Sequence, residues 1–121
     1  MLDSNILIYL LQGRSDLLRD RVEACDPGEL VTSSIAYAEV MRGVPDDDGS
    51  KSGAARRLFA TVGIEAFGPE AAIAYRRVPF RRGRFDRLIA GHALAAGLVL
   101  VTNNERDFAD VRGLRIENWT L

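Results

Sequence analysis

The 121-residue sequence contains one cysteine, one histidine and one tryptophan. Each scarcity removes a class of protein. A lone thiol, Cys25, cannot staple a small secreted fold and offers no Cys/His spacing for a structural metal, so it reads as a packed or incidental residue. Long apolar runs are also missing. The longest, Ile6 to Leu11 and Leu98 to Val101, fall far short of the roughly 20 residues of a membrane span, and no membrane association is expected. Neither sign of charge dominates: 16 basic and 17 acidic residues leave a formal charge of −1. Attraction to a polyanion must therefore come from a local patch. The opening Met1-Leu2-Asp3-Ser4-Asn5 lacks a basic n-region and a small-residue cleavage site, so a cytoplasmic location is expected.

What is present is ordinary for a globular chain, with 47% hydrophobic and 27% charged residues. The length suits one domain, residues 1–121. One basic patch is visible, in Arg76, Arg77, Arg81, Arg82, Arg84 and Arg87. Lys51 is the only lysine among the 16 basic residues, and arginine favours bidentate recognition of phosphate or carboxylate. The acidic stretch Pro45-Asp46-Asp47-Asp48-Gly49-Ser50 reads as a solvated loop, because consecutive acids without alternating spacing do not converge on one ion.

Short apolar segments alternate with helical patterns. Residues 1–3 form a buried strand that breaks at Asp3, followed by a helix through Ile6, Leu7, Leu10 and Leu11. A second helical stripe, Leu17, Leu18, Arg21 and Val22, stops before Pro27-Gly28. Leu30-Val31-Thr32 reads as a strand, with Ser33 or Ser34 capping a helix that ends at Gly43. Ala54 to Val62 is amphipathic, Ile64 to Phe67 is a short strand, and Pro69 suits the first position of a helix from Glu70 to Arg77. Asp86 to Ala96 is the clearest helix, with Ile89, Ala90, Ala93 and Leu94 on one face and Gly97 as its stop. Leu98 to Val101 and Leu114 to Ile116 are further strands. Strands buried on both faces and alternating with helices predict an α/β fold, a three-layer α/β/α sandwich with a central parallel sheet.

In such sheets ligands gather at the carboxyl ends of strands, and acids fall there. Asp3 ends the first strand; Thr102, Asn104 and Asp107 follow the Leu98 to Val101 strand. Glu39 interrupts the apolar segment Ile35-Ala36-Tyr37-Ala38-Glu39-Val40-Met41, where facing solvent is ordinary and facing inward is costly unless paired or metal-bound; taken alone, the segment favours the surface. Asp86 suits a helix N-cap or first turn, and Asp3 an Asx turn or cap. Asp107 alone reads as a surface residue. Together the four acids point to a divalent cation, since clustered carboxylates repel one another unless a cation holds them, and hard oxygen ligands select Mg²⁺ or Mn²⁺. Such ions serve phosphate chemistry. Ser4, Asn5, Thr102 and Asn104 are candidates for orienting the acids or their waters.

Four segments carry a family resemblance: Met1 to Tyr9, Ser33 to Glu39, Phe85-Asp86-Arg87-Leu88-Ile89-Ala90-Gly91-His92-Ala93, and Val101-Thr102-Asn103-Asn104-Glu105-Arg106-Asp107-Phe108. With the tail Val111 to Trp119, they resemble the VapC toxins, PIN-domain ribonucleases of type II toxin-antitoxin modules. The resemblance spans nearly the whole chain. It implies Asp3, Glu39 and Asp86 as metal-binding acids, with Asp107 in the fourth place and Asn104 competing for it. It further implies a VapB-type antitoxin that sets a basic side chain into the acidic pocket, homodimers, promoter DNA bound only through the antitoxin, and structured RNA such as tRNA as substrate. The sequence departs from the family between Pro69 and Asp86, where the connection through Arg76 to Arg84 is short. Arg81, Arg82 and Arg84 there are candidate contacts to RNA or antitoxin.

His92 lies about 240° round the helix from Asp86 and reads as structural. Trp119 reads as a packing anchor. Two other readings, one enzymatic and one a signalling domain, fare worse. An aspartyl-phosphate phosphatase needs a second acid where Asn5 stands, and a phospho-acceptor domain needs a lysine near the acids, whereas Lys51 falls in a loop. A PIN scaffold that only binds a partner is the remaining alternative, and the intact acids argue against it.

Overall fold

A computed structural model describes all 121 residues. Six helices, α1 (Ser4–Gln12), α2 (Asp16–Glu23), α3 (Ser34–Arg42), α4 (Ser50–Thr61), α5 (Pro69–Tyr75) and α6 (Phe85–Ala96), alternate with four short strands. The strands are β1 (Val31–Ser33), β2 (Gly63–Glu65), β3 (Leu100–Val101) and β4 (Ile116–Glu117), and a 3₁₀ turn spans Glu105–Phe108. β1 pairs with β2 and β3 with β4, both parallel. Leu2 bridges Thr32 on one side and Val101 on the other, again in parallel, and joins the pairs into one sheet ordered β2, β1, residue 2, β3, β4.

The expected strand over residues 1–3 is thus one bridged residue, held by Leu2 N donating to Val31 O (2.8 Å) and Val101 N donating to Met1 O (2.8 Å). It stops because Asp3 turns at once into α1, its Oδ1 accepting from Ile6 N at 3.0 Å. Gly13, at φ 62°, ends α1. The chain runs outward from residue 2 to one edge of the sheet, then returns to lie on its other side. That makes the first segment the topological switch point, where crevices open at strand ends.

Both faces of the central sheet are covered. Successive strand residues point to opposite faces, and Leu100 with Val101, like Thr32 with Ser33, are all buried. The edge strand β2 corrects the expectation of uniform burial, since Gly63, Ile64 and Glu65 are exposed. Leu2, Ile6, Leu7, Ile89, Leu100 and Phe108 anchor the core, each contributing about 1.5–3 kcal/mol through burial.

Helix α6 is central because it carries Asp86. Ile89, Ala90 and Ala93 face the core, and Gly97 at φ 66° closes the helix as expected. Pro69 opens α5 at its first turn. The two helices meet at Gly91, where a side-chain β-carbon would stand 2.9 Å from Tyr75 Cα. α4 begins at Ser50, earlier than the apolar pattern indicated, and the acidic loop before it is exposed as expected. Asp47 Oδ1 accepts from Gly49 N there at 2.9 Å. No helix is long and apolar enough to cross a membrane.

Candidate active site

The acids sit at the switch point because three short elements end there. Asp3, 5% exposed, leaves the central bridge and caps α1. Burial raises its pKa above the usual 3.8; the Thr102 hydroxyl and the Ile6 amide, which favour the charged form, offset this in part, while the Asp86 charge adds to the rise. Glu39, on α3, is half-buried rather than solvent-facing. Its pKa is raised from 4.5, chiefly by burial, with the Ser4 side chain opposing and the Asp86 and Asp3 charges adding to the rise. Asp86 lies in the first turn of α6 but does not cap it; the capping position is Arg84, which makes no side-chain cap bond. Asp3, Glu39 and Asp86 therefore feel one another's charge, and the inward cost of Glu39 is real.

Two oxygens decide what this group is suited to. Glu39 Oε1 and Asp86 Oδ1 are buried and have no hydrogen-bond partner. An unpaired buried carboxylate oxygen costs several kcal/mol unless a donor or cation reaches it, and such groups are exceptions that call for an explanation. Hard, anionic, orphaned oxygens fit an oxygen-seeking divalent cation. As they stand, no three acidic, histidine or cysteine side chains approach closely enough to share one ion.

Asp107 arrives from the 3₁₀ turn after β3. Asn104 Nδ2 donates to Asp107 Oδ2, so the two contenders for the fourth place touch each other. Asn104 N in turn donates to Thr102 Oγ1 at 3.0 Å, which shapes the turn. Asn5 is exposed, and only its backbone amide favours the Asp3 carboxylate. Of the candidate basic contacts, Arg81 Nη2 pairs with Asp110 Oδ2 at 3.3 Å and Arg82 is exposed without an ion pair. Arg84 departs from the outward reading: it turns inward, its Nη2 donating to Asp86 Oδ2 at 2.6 Å and also to Asp107 Oδ2.

Arg87 belongs to the site although its sequence reading placed it only in the basic patch. It is 0% exposed, its Nη2 donates to the Asp107 backbone carbonyl at 2.9 Å, and Nη1 donates to Asp110 Oδ1 at 3.0 Å. It thereby ties the helix bearing Asp86 to the turn bearing Asp107. The signal was its spacing, since Arg87, Ala90 and Leu94 share a helical face that otherwise points to the core. His92 is structural: buried on α6, its Nδ1 lies 2.8 Å from Ser33 Oγ, the cap of α3, and burial pushes its pKa below 6.5. Trp119 packs against the Arg21 guanidinium and donates to Glu117 at 2.9 Å. Cys25 is partly buried, and burial raises its thiol pKa.

A doubly wound parallel domain that gathers acids at its switch point has the build of a phosphodiester-cleaving enzyme. The comparisons with known proteins agree. The PIN domain family matches residues 1–114. The tRNA(fMet)-specific endonuclease VapC of Shigella flexneri is 34% identical over 134 aligned positions, which cover 99% of this chain and 97% of that protein. The VapBC2 structure from Rickettsia felis, bound to a DNA fragment from its promoter, superposes with a TM-score of 0.84 at 27% identity, covering 98% and 97% of the two chains. VapBC-1 from nontypeable Haemophilus influenzae superposes at 0.82 with 30% identity, covering 100% and 98%. This chain belongs to the PIN domain family, among its VapC ribonucleases. The 134 aligned positions exceed the 121 residues of this chain, so the Shigella relative carries residues with no counterpart here.

Proposed function

We propose that this chain, as one domain over residues 1–121, is the ribonuclease toxin of a toxin-antitoxin module, and that Asp3, Glu39 and Asp86, joined by Asp107, hold the divalent cation it uses. The observation that carries the assignment is the pair of orphaned buried oxygens, Glu39 Oε1 and Asp86 Oδ1, beside the capping carboxylate of Asp3. Mg²⁺ or Mn²⁺ suits these oxygen donors. When bound, the ion supplies Lewis-acid chemistry, lowering the pKa of water and polarising the phosphoryl oxygen for in-line hydrolysis.

The protein's own groups do the rest. Ser4 and Thr102 favour the charged forms of Glu39 and Asp3, which keeps both ready to bind a cation despite burial. Asn104 and Arg87 fix Asp107 from its side chain and its backbone. Arg82, exposed and outside any ion pair, and Arg81 are the candidate contacts to RNA phosphates or to the antitoxin. The names of the relatives support tRNA as the substrate. The VapBC complexes among the similar structures support a VapB-type antitoxin as partner, with promoter DNA reached through the antitoxin; a homodimer is the expected assembly.

The test is incubation of the purified protein with total tRNA and Mg²⁺ or Mn²⁺, comparing wild type with Asp3→Asn and Asp86→Asn. Cleavage lost in both variants and in EDTA is expected. Cleavage that survives all three would remove the metal-carboxylate assignment, and absence of cleavage with antitoxin binding intact would leave a binding scaffold.

A further inference from the structure

Arg84 is the only basic side chain ion-paired with the carboxylates of the candidate acids. One nitrogen, Nη2, reaches Asp86 Oδ2 and Asp107 Oδ2 together. It therefore engages two of the carboxylates that would hold a cation. On the far side of Asp86, Oδ1 is left buried without a partner, so the guanidinium neutralises the pair but does not complete the site. We propose that Arg84 is a built-in competitor for the divalent cation, holding Asp86 and Asp107 together until the ion displaces it. The proposal rests on the carboxylates being the metal ligands.

Three features suit the residue to a reversible role. Arg84 lies at the N-terminal edge of α6 and caps nothing, so the helix does not depend on its position. Its side chain is 38% exposed, leaving a path to solvent, in contrast to Arg87, which is fully buried and fixed by three hydrogen bonds. The preceding Gly83 turns the chain at φ 72°, and the short connection from α5 delivers Arg84 directly over the acids. With the guanidinium in place, the side chains do not converge on a common ion position. With Oδ2 of each carboxylate drawn to one cationic nitrogen, Asp86 keeps only Oδ1 free for a metal. A guanidinium is a fit stand-in, since it is weakly hydrated and always charged.

Occupancy sets the size of the effect. A guanidinium in place about nine-tenths of the time lowers apparent metal affinity roughly tenfold. Isothermal titration of the metal-free full chain with Mn²⁺ should accordingly show Arg84→Gln binding Mn²⁺ about tenfold more tightly than wild type, Arg84→Lys falling nearer wild type, and Arg112→Gln, an exposed arginine that pairs with none of the acids, matching it. A crystal structure of the Mn²⁺-loaded wild type should show the Arg84 guanidinium withdrawn from both carboxylates. Equal or weaker Mn²⁺ binding by Arg84→Gln would overturn the competitor role while leaving wild-type binding, and so the metal assignment, intact. A guanidinium still seated on both acids beside bound Mn²⁺ would overturn it equally. Failure of wild type and Arg84→Gln alike to bind Mn²⁺ would overturn both readings.

Discussion

Replacing Gly91 with alanine should destabilise this protein, although alanine is the better helix former. A β-carbon at position 91 would lie 2.9 Å from Tyr75 Cα and 3.1 Å from both Tyr75 N and Tyr75 Cβ. Backbone cannot rotate away as a side-chain tip can, so α5 must back off α6. Overpacking of this kind costs about 1–3 kcal/mol, whereas the intrinsic gain from glycine to alanine is about 1 kcal/mol. The packing term wins by up to about 2 kcal/mol, which for a domain of this size lowers Tm by up to about 10 °C. Gly53, in α4, supplies the contrast. A β-carbon there would meet only Arg57 Nη1 at 3.3 Å and Arg56 Nη2 at 3.8 Å, both the ends of flexible side chains, so Gly53→Ala should stabilise by about 0.5–1 kcal/mol. Thermal and urea unfolding of the two variants beside wild type would measure both. Shifts of opposite sign are expected; a Gly91→Ala protein as stable as Gly53→Ala would refute the claim that the α5–α6 contact requires glycine.

The site permits two further predictions. Arg87→Met, which keeps the length of the side chain and removes the guanidinium, should lower stability by about 1–3 kcal/mol, because the Asp107 carbonyl loses its donor while relief of a buried charge offsets part of the loss. It should also reduce tRNA cleavage measured well below the variant's Tm, and unchanged cleavage would make Arg87 a purely structural residue. The raised pKa values of Asp3 and Glu39 fix the sign of a pH effect. Folding favours their protonated forms, so the metal-free protein should lose stability as pH rises from the ordinary values near 3.8 and 4.5 through the higher folded-state values. Mn²⁺ should recover that loss over the same interval, giving a Tm increment that grows with pH and shrinks in Asp3→Asn. An increment independent of pH would contradict the burial of these acids.

Much of this was legible in the sequence for identifiable reasons. Apolar periodicity marked α6, and Pro69 and Gly97 marked their helix ends, because those signals are local. Asp3 was legible because an acid at the end of an apolar strand has few explanations. Glu39 was legible only beside the other acids and through the family resemblance, since its segment alone favours solvent and it is the fold that brings it within reach of the Asp3 and Asp86 charges. The first strand shrank to Leu2 because the Asp3 cap begins α1 immediately, a competition between cap and strand that propensity does not settle. Arg84 and Arg87 are separated by three positions in one basic patch, yet one turns onto the acids and the other is buried against Asp110. That division depends on where the 3₁₀ turn lies in space, which no local pattern encodes.

The central claim, that these carboxylates form a metal-dependent ribonuclease centre, is tested most directly by stripping the protein with EDTA, dialysing, and titrating Mn²⁺ back while following tRNA cleavage. The account predicts no cleavage by the stripped wild type, recovery with added Mn²⁺, and no recovery in Asp86→Asn at any Mn²⁺ concentration that restores wild type. Full cleavage by the stripped protein, or equal recovery in Asp86→Asn, would contradict it.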